Sequence, residues 1–439
     1  MSRARKRMQL SVVLNGRLVG TLERATNGAI SFIYAREWLD DEKRAMPVSL
    51  SLPLREGRYT GAEVSSYFDN LLPDNDQIRR KVAERVGAAG TDAFNLLSGI
   101  GRDCVGALQF LPKEDEIIAP GPPRYTSLNH AEVAEIVRGL AMMPLGVQPD
   151  GEREFRLSIA GAQEKTALLW NGGWCLPKGA TPTTHILKPQ LGKLPNGLDM
   201  SRSVENEHFC LTLCRELGLD SAKSEIHDFE DVRVIAIERF DRIRTQDGRL
   251  LRLPQEDFCQ ALAIPSTQKY NRDGGPGVNE SLSLLSGSDY AEEDRLAFLK
   301  AQMIFWLIAA IDGHAKNFSI FLTPGGRFRL TPIYDVMTAQ SNYTEGNLRR
   351  NQLKLAMAIG TNRHYVIKEI LPRHFLQSGQ CAGVPADQIK VLLQEIEHSM
   401  PDAMERTVMA MPEDFPNVIA ESVRKAVVDK SPVIRAFLS

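Results

Sequence analysis

The run Trp306–Asp335, WLIAAIDGHAKNFSIFLTPGGRFRLTPIYD, decides how the rest of the chain is read. It opens as an apolar helix and turns polar at Asp312-Gly313-His314-Ala315-Lys316-Asn317. An apolar strand, Phe318 to Leu322, follows; a Pro-Gly-Gly turn then leads into a second strand from Phe328, predicted to end at Tyr334-Asp335. Asp312 and Asn317 thus fall in a loop between buried elements, with Asp335 at a nearby strand end. Two acids and an amide so placed can hold Mg2+ and steer a hydroxyl. The D-x-x-x-x-N spacing matches the protein-kinase catalytic loop, whose Asp is the base and whose Asn binds metal. The stretch predicts a phosphotransferase.

A phosphotransferase also needs a cation on the nucleotide phosphates, backbone amides over them and an acid to orient the cation. Upstream, Thr184-His185-Ile186-Leu187-Lys188 is an apolar strand ending in a lysine. A helix is predicted from about Ser203 to Leu217, stopped by Gly218, and carries Glu207 and Glu205 as acids that could orient Lys188, Glu207 being preferred. Strands at 223–229 and 232–238 end at Glu238-Arg239-Phe240-Asp241, a natural place for backbone contacts to adenine. Taken singly, each residue has an ordinary reading. Lys188 can be a solvated strand end, Asp312-Gly313 a helix-ending turn, Asn317 a loop cap and His314 structural. Their order along the chain carries the case.

Length and composition bound the alternatives. A chain of 439 residues exceeds what one core usually supports, so two or three packed units are expected. With 43% hydrophobic and 25% charged residues and a net charge of −2, it is not a nucleic-acid coat, although a local basic patch remains open. The basic start, Arg3 to Arg7, is followed by no long apolar run and does not read as a signal peptide. The most apolar run, Met303 to Ile311, is nine residues, against about 20 for a membrane span. Six scattered cysteines without a C-x-x-C pair predict reduced core thiols in a cytoplasmic protein.

In chain order, QLSVVLNG, RLVGTLE and AISFIYA alternate apolar and polar residues, with Asn27-Gly28 as a hairpin signal. Helical patterning follows at Ala62–Leu72 and Asp74–Val86. Gly99-Ile100-Gly101-Arg102 reads as a tight turn into a strand, Gly106 to Leu111, and residues 113–124 as a linker or surface loop. A helix at His130–Met142 precedes four strands between Phe155 and Lys188, and beyond Leu253 the chain is largely helical. The predicted fold is α+β: an N-terminal β-rich unit (1–125), a sheet lobe with the phosphate loop (126–250) and a mostly helical lobe with the catalytic loop (251–439).

The segments FRLSIAGAQEKTALL, KGATPTTHILK, ENEHFCLTLCRELGL, AIERFDR, RLPQEDFCQ, GGPG, IDGHAKNFS and LTPIYD resemble the HipA family. These are the serine/threonine kinase toxins of bacterial HipA–HipB toxin–antitoxin modules. The likeness extends from NGRLVGTL and FDNLLPDN through GIGRDCVGAL to LKLAM and LPRHF, so it covers almost the whole chain. It implies a two-lobed protein-kinase-like fold, with Asp312 as catalytic base, Asn317 and Asp335 as Mg2+ ligands and Lys188 on the ATP phosphates. Glu238 and Phe240 would contact adenine, and Asp241, His314 and Tyr334 would line the nucleotide pocket. Ala160, Gly161, Ala162, Gln163, Glu164 and Lys165 would form the phosphate-covering loop, and Ser158 matches the serine that HipA proteins autophosphorylate. A dianion at Ser158 would repel the nucleotide phosphates and shut the enzyme off. The family implies glutamyl-tRNA synthetase as substrate, a DNA-binding HipB dimer as antitoxin and operator contact mainly through HipB. The alternative is a catalytically silent corepressor. Residues 339–351 match the family least and lie where an activation segment would, so the substrate is the least constrained inference.

Overall fold

A computed structural model describes residues 8–142, 157–158, 163–194 and 198–439. The chain begins as a five-stranded antiparallel sheet in the order Arg58–Thr60, Ile30–Tyr34, Arg17–Arg24, Met8–Leu14, Leu108–Pro112. Asn15 and Gly16 form its tightest turn, both with positive φ (46° and 78°), and Leu14 pairs directly with Arg17. That backbone matches the right-handed twist of the flanking strands. Asn27-Gly28 instead lies in a wider loop closed by the Ala25 amide on the Ala29 carbonyl. Helices Ala62–Asn70, Asp76–Val86 and Ala93–Ile100 complete the unit around Phe32, Phe68, Phe94 and Phe110, all buried. Ala93–Ile100 is a helix that sequence patterning does not give; the turn expected at Gly99–Arg102 starts in its last residues. Six of its eight residues are buried, and Asp92 caps it by accepting from the Asn95 amide.

A six-stranded sheet follows, ordered Ser224–Phe229, Val232–Glu238, His185–Pro189, Thr166–Trp170, Trp174–Pro177, Tyr125–Ser127. Helix His130–Met142 buries Val133, Ala134 and Val137 with Trp174, Leu187 and Phe229 of that sheet. Helix Ser203–Glu216 is buried nearly all round, and its Phe209, Leu211 and Leu213 belong to the core of the helical lobe. It therefore bridges the lobes that the sequence reading divides at 250.

The helical lobe is organised around Ala291–Ile308, whose second half is buried on every face among Val278–Leu285, Pro372–Cys381, Ala386–Met409 and Asn417–Leu438. Among the described residues no helix is long and apolar enough to cross a membrane. The lobe also carries two antiparallel sheets: Gln255–Asp257 joins Ser319–Thr323 and Arg327–Leu330, the two strands expected after the Asp312 loop, while the pair Lys354–Ile359 and His364–Val366 lies outside the helical reading of this lobe. Five of Lys354–Ile359 are buried in succession, which removes the alternation that signals a strand. All six cysteines are free, five of them buried.

The N-terminal unit is sealed to the sheet lobe by charge. Asp103 lies within 3.5 Å of Arg239, Arg242 and Arg252 and accepts from the Thr183 hydroxyl at 2.6 Å. Its carboxyl is held well below the usual carboxylate range, because the three guanidiniums outweigh the desolvation that would raise it.

Candidate active site

The strand His185–Pro189 carries Lys188 inward, where it is 5% exposed. Its Nζ donates to Glu207 Oε1 and to Asp335 Oδ1, both at 2.8 Å. Burial opposes the charge on Lys188, but the Asp335 and Glu207 carboxylates overcome it and hold the ammonium protonated. Asp335 is likewise held below the ordinary carboxylate range, as Lys188 and Lys165 outweigh its desolvation. Strand Arg327–Leu330 ends earlier than its apolar pattern suggests, and Asp335 comes five residues later at φ 58°. A left-handed backbone at a non-glycine residue is costly and marks a position fixed by its surroundings.

Helix Ala291–Ile308 stops at Ala309, also left-handed, and releases the loop with Asp312. Asp312 is exposed, whereas Gly313 to Asn317 are buried. Asn317 Nδ2 donates to the Asp312 carbonyl at 2.8 Å, which fixes the amide and leaves Oδ1 as its acceptor. A Cβ on Gly313 would lie 2.6 Å from the Phe305 ring, so this turn requires glycine. His314 is 4% exposed, and burial keeps it neutral. Its Nδ1 finds no hydrogen-bond partner among the described residues. Tyr334 donates to the Lys316 carbonyl at 2.8 Å, bonds Ser319 Oγ at 2.6 Å and places its ring 5.7 Å from that of Phe240.

The structure thus gathers Lys188, Glu207, Asp335, Asp312, Asn317, His314, Tyr334 and Phe240. Glu238 ends strand Val232–Glu238 two residues before Phe240. Gln163 Nε2 donates to the Pro189 carbonyl at 3.1 Å, and Glu164 pairs with Lys81 of the N-terminal unit at 2.6 Å. Lys165 is half-buried; desolvation, then the charge of Lys188, lowers it to about 8. Ala160, Gly161 and Ala162 lie outside the described residues, and of Ser158 only the backbone is described, paired with Cys104. Glu205 bonds Gln190 and Arg233 instead of Lys188.

Asp241 does not join this group. Its oxygens accept from Arg239 Nε at 3.0 Å, Arg239 Nη2 at 2.8 Å and the Gly106 amide at 2.7 Å, in the seam with the N-terminal unit. The partners that claim it lie 135 residues earlier or on its own turn, so position after the strand did not reveal them.

Three residues near Asp312 escape the sequence reading. Tyr270 donates its hydroxyl to Asp312 Oδ1 at 2.6 Å. Lys316 and Lys269 each reach Asp74 of the N-terminal unit at 2.8 Å. The sequence signal for Lys316 is its place directly before Asn317; Lys269-Tyr270 precedes the Gly274-Gly275-Pro276-Gly277 turn, and neither feature predicts a partner.

The donor set fits a magnesium nucleotide. Asp335 and Asn317 offer one carboxylate and one amide oxygen, the few hard ligands that Mg2+ takes when phosphates and water complete its shell. No group of three or more His, Cys, Asp or Glu side chains forms a self-sufficient metal site among the described residues. Lys188, Lys165 and the unpartnered His314 Nδ1 supply the cations and a hydrogen-bonding atom for a polar anionic ligand.

Comparison with known proteins adds to this geometry. The model of the HipA-like C-terminal domain matches residues 157–404 and that of the HipA N-terminal domain residues 10–111. The chain is 34% identical over 420 residues, 94% of each sequence, to a Sinorhizobium fredii protein named "Putative kinase Y4mE". It is 28% identical to the serine/threonine-protein kinase toxin HipA of Shewanella oneidensis, over 93% of this chain and 91% of that protein. A solved HipA chain from the Shewanella oneidensis complex of HipA, HipB and operator DNA superimposes with TM-score 0.79 at 24% identity, covering 97% of both chains.

Proposed function

The chain belongs to the HipA family of kinase toxins, and from that premise we propose that it is an active serine/threonine protein kinase using Mg·ATP. The observation that supports activity most directly is Lys188 shared between Glu207 and Asp335 at 2.8 Å each, beside a loop presenting Asp312 and Asn317. A silent corepressor would have no need to keep that charged set in a cleft, and buried charge is costly.

In this reading Lys188 and Lys165 hold the nucleotide phosphates, Glu207 keeps Lys188 aimed, and Glu238 to Phe240 receive the adenine with Tyr334 and His314 beside it. Asp335 and Asn317 hold Mg2+, which neutralises charge on the phosphates when bound. Exposed Asp312 accepts the proton of an acceptor serine hydroxyl; a bond forms between that oxygen and the γ-phosphorus, the bond to the β,γ-bridging oxygen breaks, and ADP leaves. Positioning and electrostatics do nearly all the work.

The acceptor we propose, by family resemblance, is a serine of glutamyl-tRNA synthetase; its phosphorylation would block aminoacylation and arrest growth in the cytoplasm, a state of persistence. Ser158 would be the autophosphorylation site and off-switch. A HipB-type dimer would neutralise the kinase and repress transcription by carrying it to operator DNA, as the Shewanella complex of those three components suggests. Incubation with labelled ATP, Mg2+ and glutamyl-tRNA synthetase tests the reading. Label is expected on the synthetase and on Ser158; a folded sample that labels neither overturns it.

A further inference from the structure

The N-terminal unit reaches the catalytic loop through the Asp74 carboxylate and the Asn70 carbonyl. Asp74 sits in the turn Leu71–Asn75, just before helix Asp76–Val86, which Asn75 caps by accepting from the Gln77 amide at 2.8 Å. Asp74 Oδ1 meets Lys316 Nζ and Asp74 Oδ2 meets Lys269 Nζ, both at 2.8 Å. Lys316 Nζ also donates to the Asn70 carbonyl at 3.1 Å, and its side chain is 3% exposed. The same turn is fastened to the helical lobe beside these contacts. Asn70 Nδ2 donates to the Ile264 carbonyl at 2.9 Å, and Ser266 Oγ donates to Asp69 Oδ2 at 2.9 Å.

Both lysines bear directly on the base. Lys316 lies between His314 and Asn317, so its side chain fixes the peptide that carries the amide ligand. The Lys269 carbonyl accepts from the Ala315 amide at 3.3 Å, and Lys269 immediately precedes Tyr270, the residue hydrogen-bonded to Asp312. Asp74 therefore ties the loop to its neighbouring segment from a different unit of the fold. A dock that served only to hold two units together could use any pair of surface residues. This one uses the residue adjoining Asn317.

We propose that Asp74 is a positioning residue: through Lys316 and Lys269 it holds the Asp312–Asn317 loop in its working geometry, so the active site is complete only with the N-terminal unit docked. The proposal rests on the kinase reading for its catalytic consequence, and on geometry alone for the loop.

The test uses full-length Asp74→Asn, which keeps shape and removes charge, with Lys316→Met as the second variant. Hydrogen exchange of peptides covering 312–317 is expected to quicken in both. In the labelled-ATP assay kcat is expected to fall about 10- to 100-fold, as a displaced reactive group costs, while KM for ATP moves less than about threefold. The melting temperature reads folding separately. Unchanged loop exchange, or a kcat loss no larger than the loss of folded protein, overturns the proposal and leaves Asp74 a docking residue. Wild-type protein that transfers no phosphate defeats the kinase reading instead, and loop exchange in the variants still decides whether Asp74 holds the loop.

Discussion

The ion cluster around Asp103 and the one around Lys188 are both buried, and only the second retains bonding capacity. At the seam, Asp103 and Asp241 meet three arginines, Thr183 and the Gly106 amide, and their side chains are only 4–5% exposed. At the cleft, Asp335 keeps 30% of its side chain exposed and a left-handed backbone, and His314 Nδ1 lacks a partner among the described residues. A closed network fixes one structure, while an open one is poised for a ligand. The difference separates structural charge from chemical charge where burial alone would not.

The sharpest way to break the comparison is to remove a charge from each cluster and ask what is lost. Asp312→Asn should lower phosphoryl transfer about 1000-fold, within the range for loss of a general base, while ATP affinity and melting temperature stay near wild type. Transfer within tenfold of wild type would remove Asp312 from the base role. Asp103→Asn should do the reverse. It leaves Arg239, Arg242 and Arg252 facing one another without their shared anion, a class of change costing about 3–5 kcal/mol of stability. Denaturant unfolding would show that loss, with kcat per folded molecule unchanged. A kcat collapse without destabilisation would place Asp103 in the chemistry. The sign with pH follows from the depressed carboxyl: its stabilisation is complete above about pH 4 and is lost as pH falls below that.

The cleft was more legible in the sequence than the seam, for a physical reason. Asp312 and Asn317 share one short loop, and Lys188 and Glu207 lie only 19 residues apart, so order along the chain nearly determines their meeting. The meeting of Asp241 with Gly106 spans 135 residues and that of Lys316 with Asp74 spans 242, which no periodicity encodes. Asp241 was misplaced and Asp74 missed on the same account. Turns signalled by Asn-Gly, and strands with one buried face, were readable. Ala93–Ile100 and Lys354–Ile359, buried nearly all round, were not.

A gentler probe titrates the open cluster. Lys165, lowered to about 8 by burial and then by Lys188, should regain its proton when a polyphosphate binds beside it. Affinity for ATP is therefore expected to be flat below about pH 8 and to fall above it, by at most about tenfold per pH unit. Lys165→Met should bind more weakly at pH 7 and show no such decline. Measuring Kd from pH 6.5 to 9.5 decides it; an unchanged slope in the variant would assign the dependence to another group. The closed seam offers no comparable response in this range, since its acids are held far below it.

The smallest effect belongs to Tyr270, which stands between the two kinds of cluster because it bonds Asp312 without closing the site. Its hydroxyl donates to Asp312 Oδ1 at 2.6 Å, on the exposed side where the proposed protein acceptor would approach. One such bond between partly solvated groups is worth about 0.5–1.5 kcal/mol net, because water replaces it when it is lost. Tyr270→Phe should therefore lower kcat by only about 2- to 12-fold if the phenol holds the carboxylate in its reactive rotamer, with KM for ATP unchanged. An acceptor hydroxyl must take the same oxygen or the neighbouring one, so the opposite sign is equally readable. A faster Tyr270→Phe enzyme, with a lower KM for the protein substrate, would mean that the phenol occupies the acceptor's place and is displaced in each turnover.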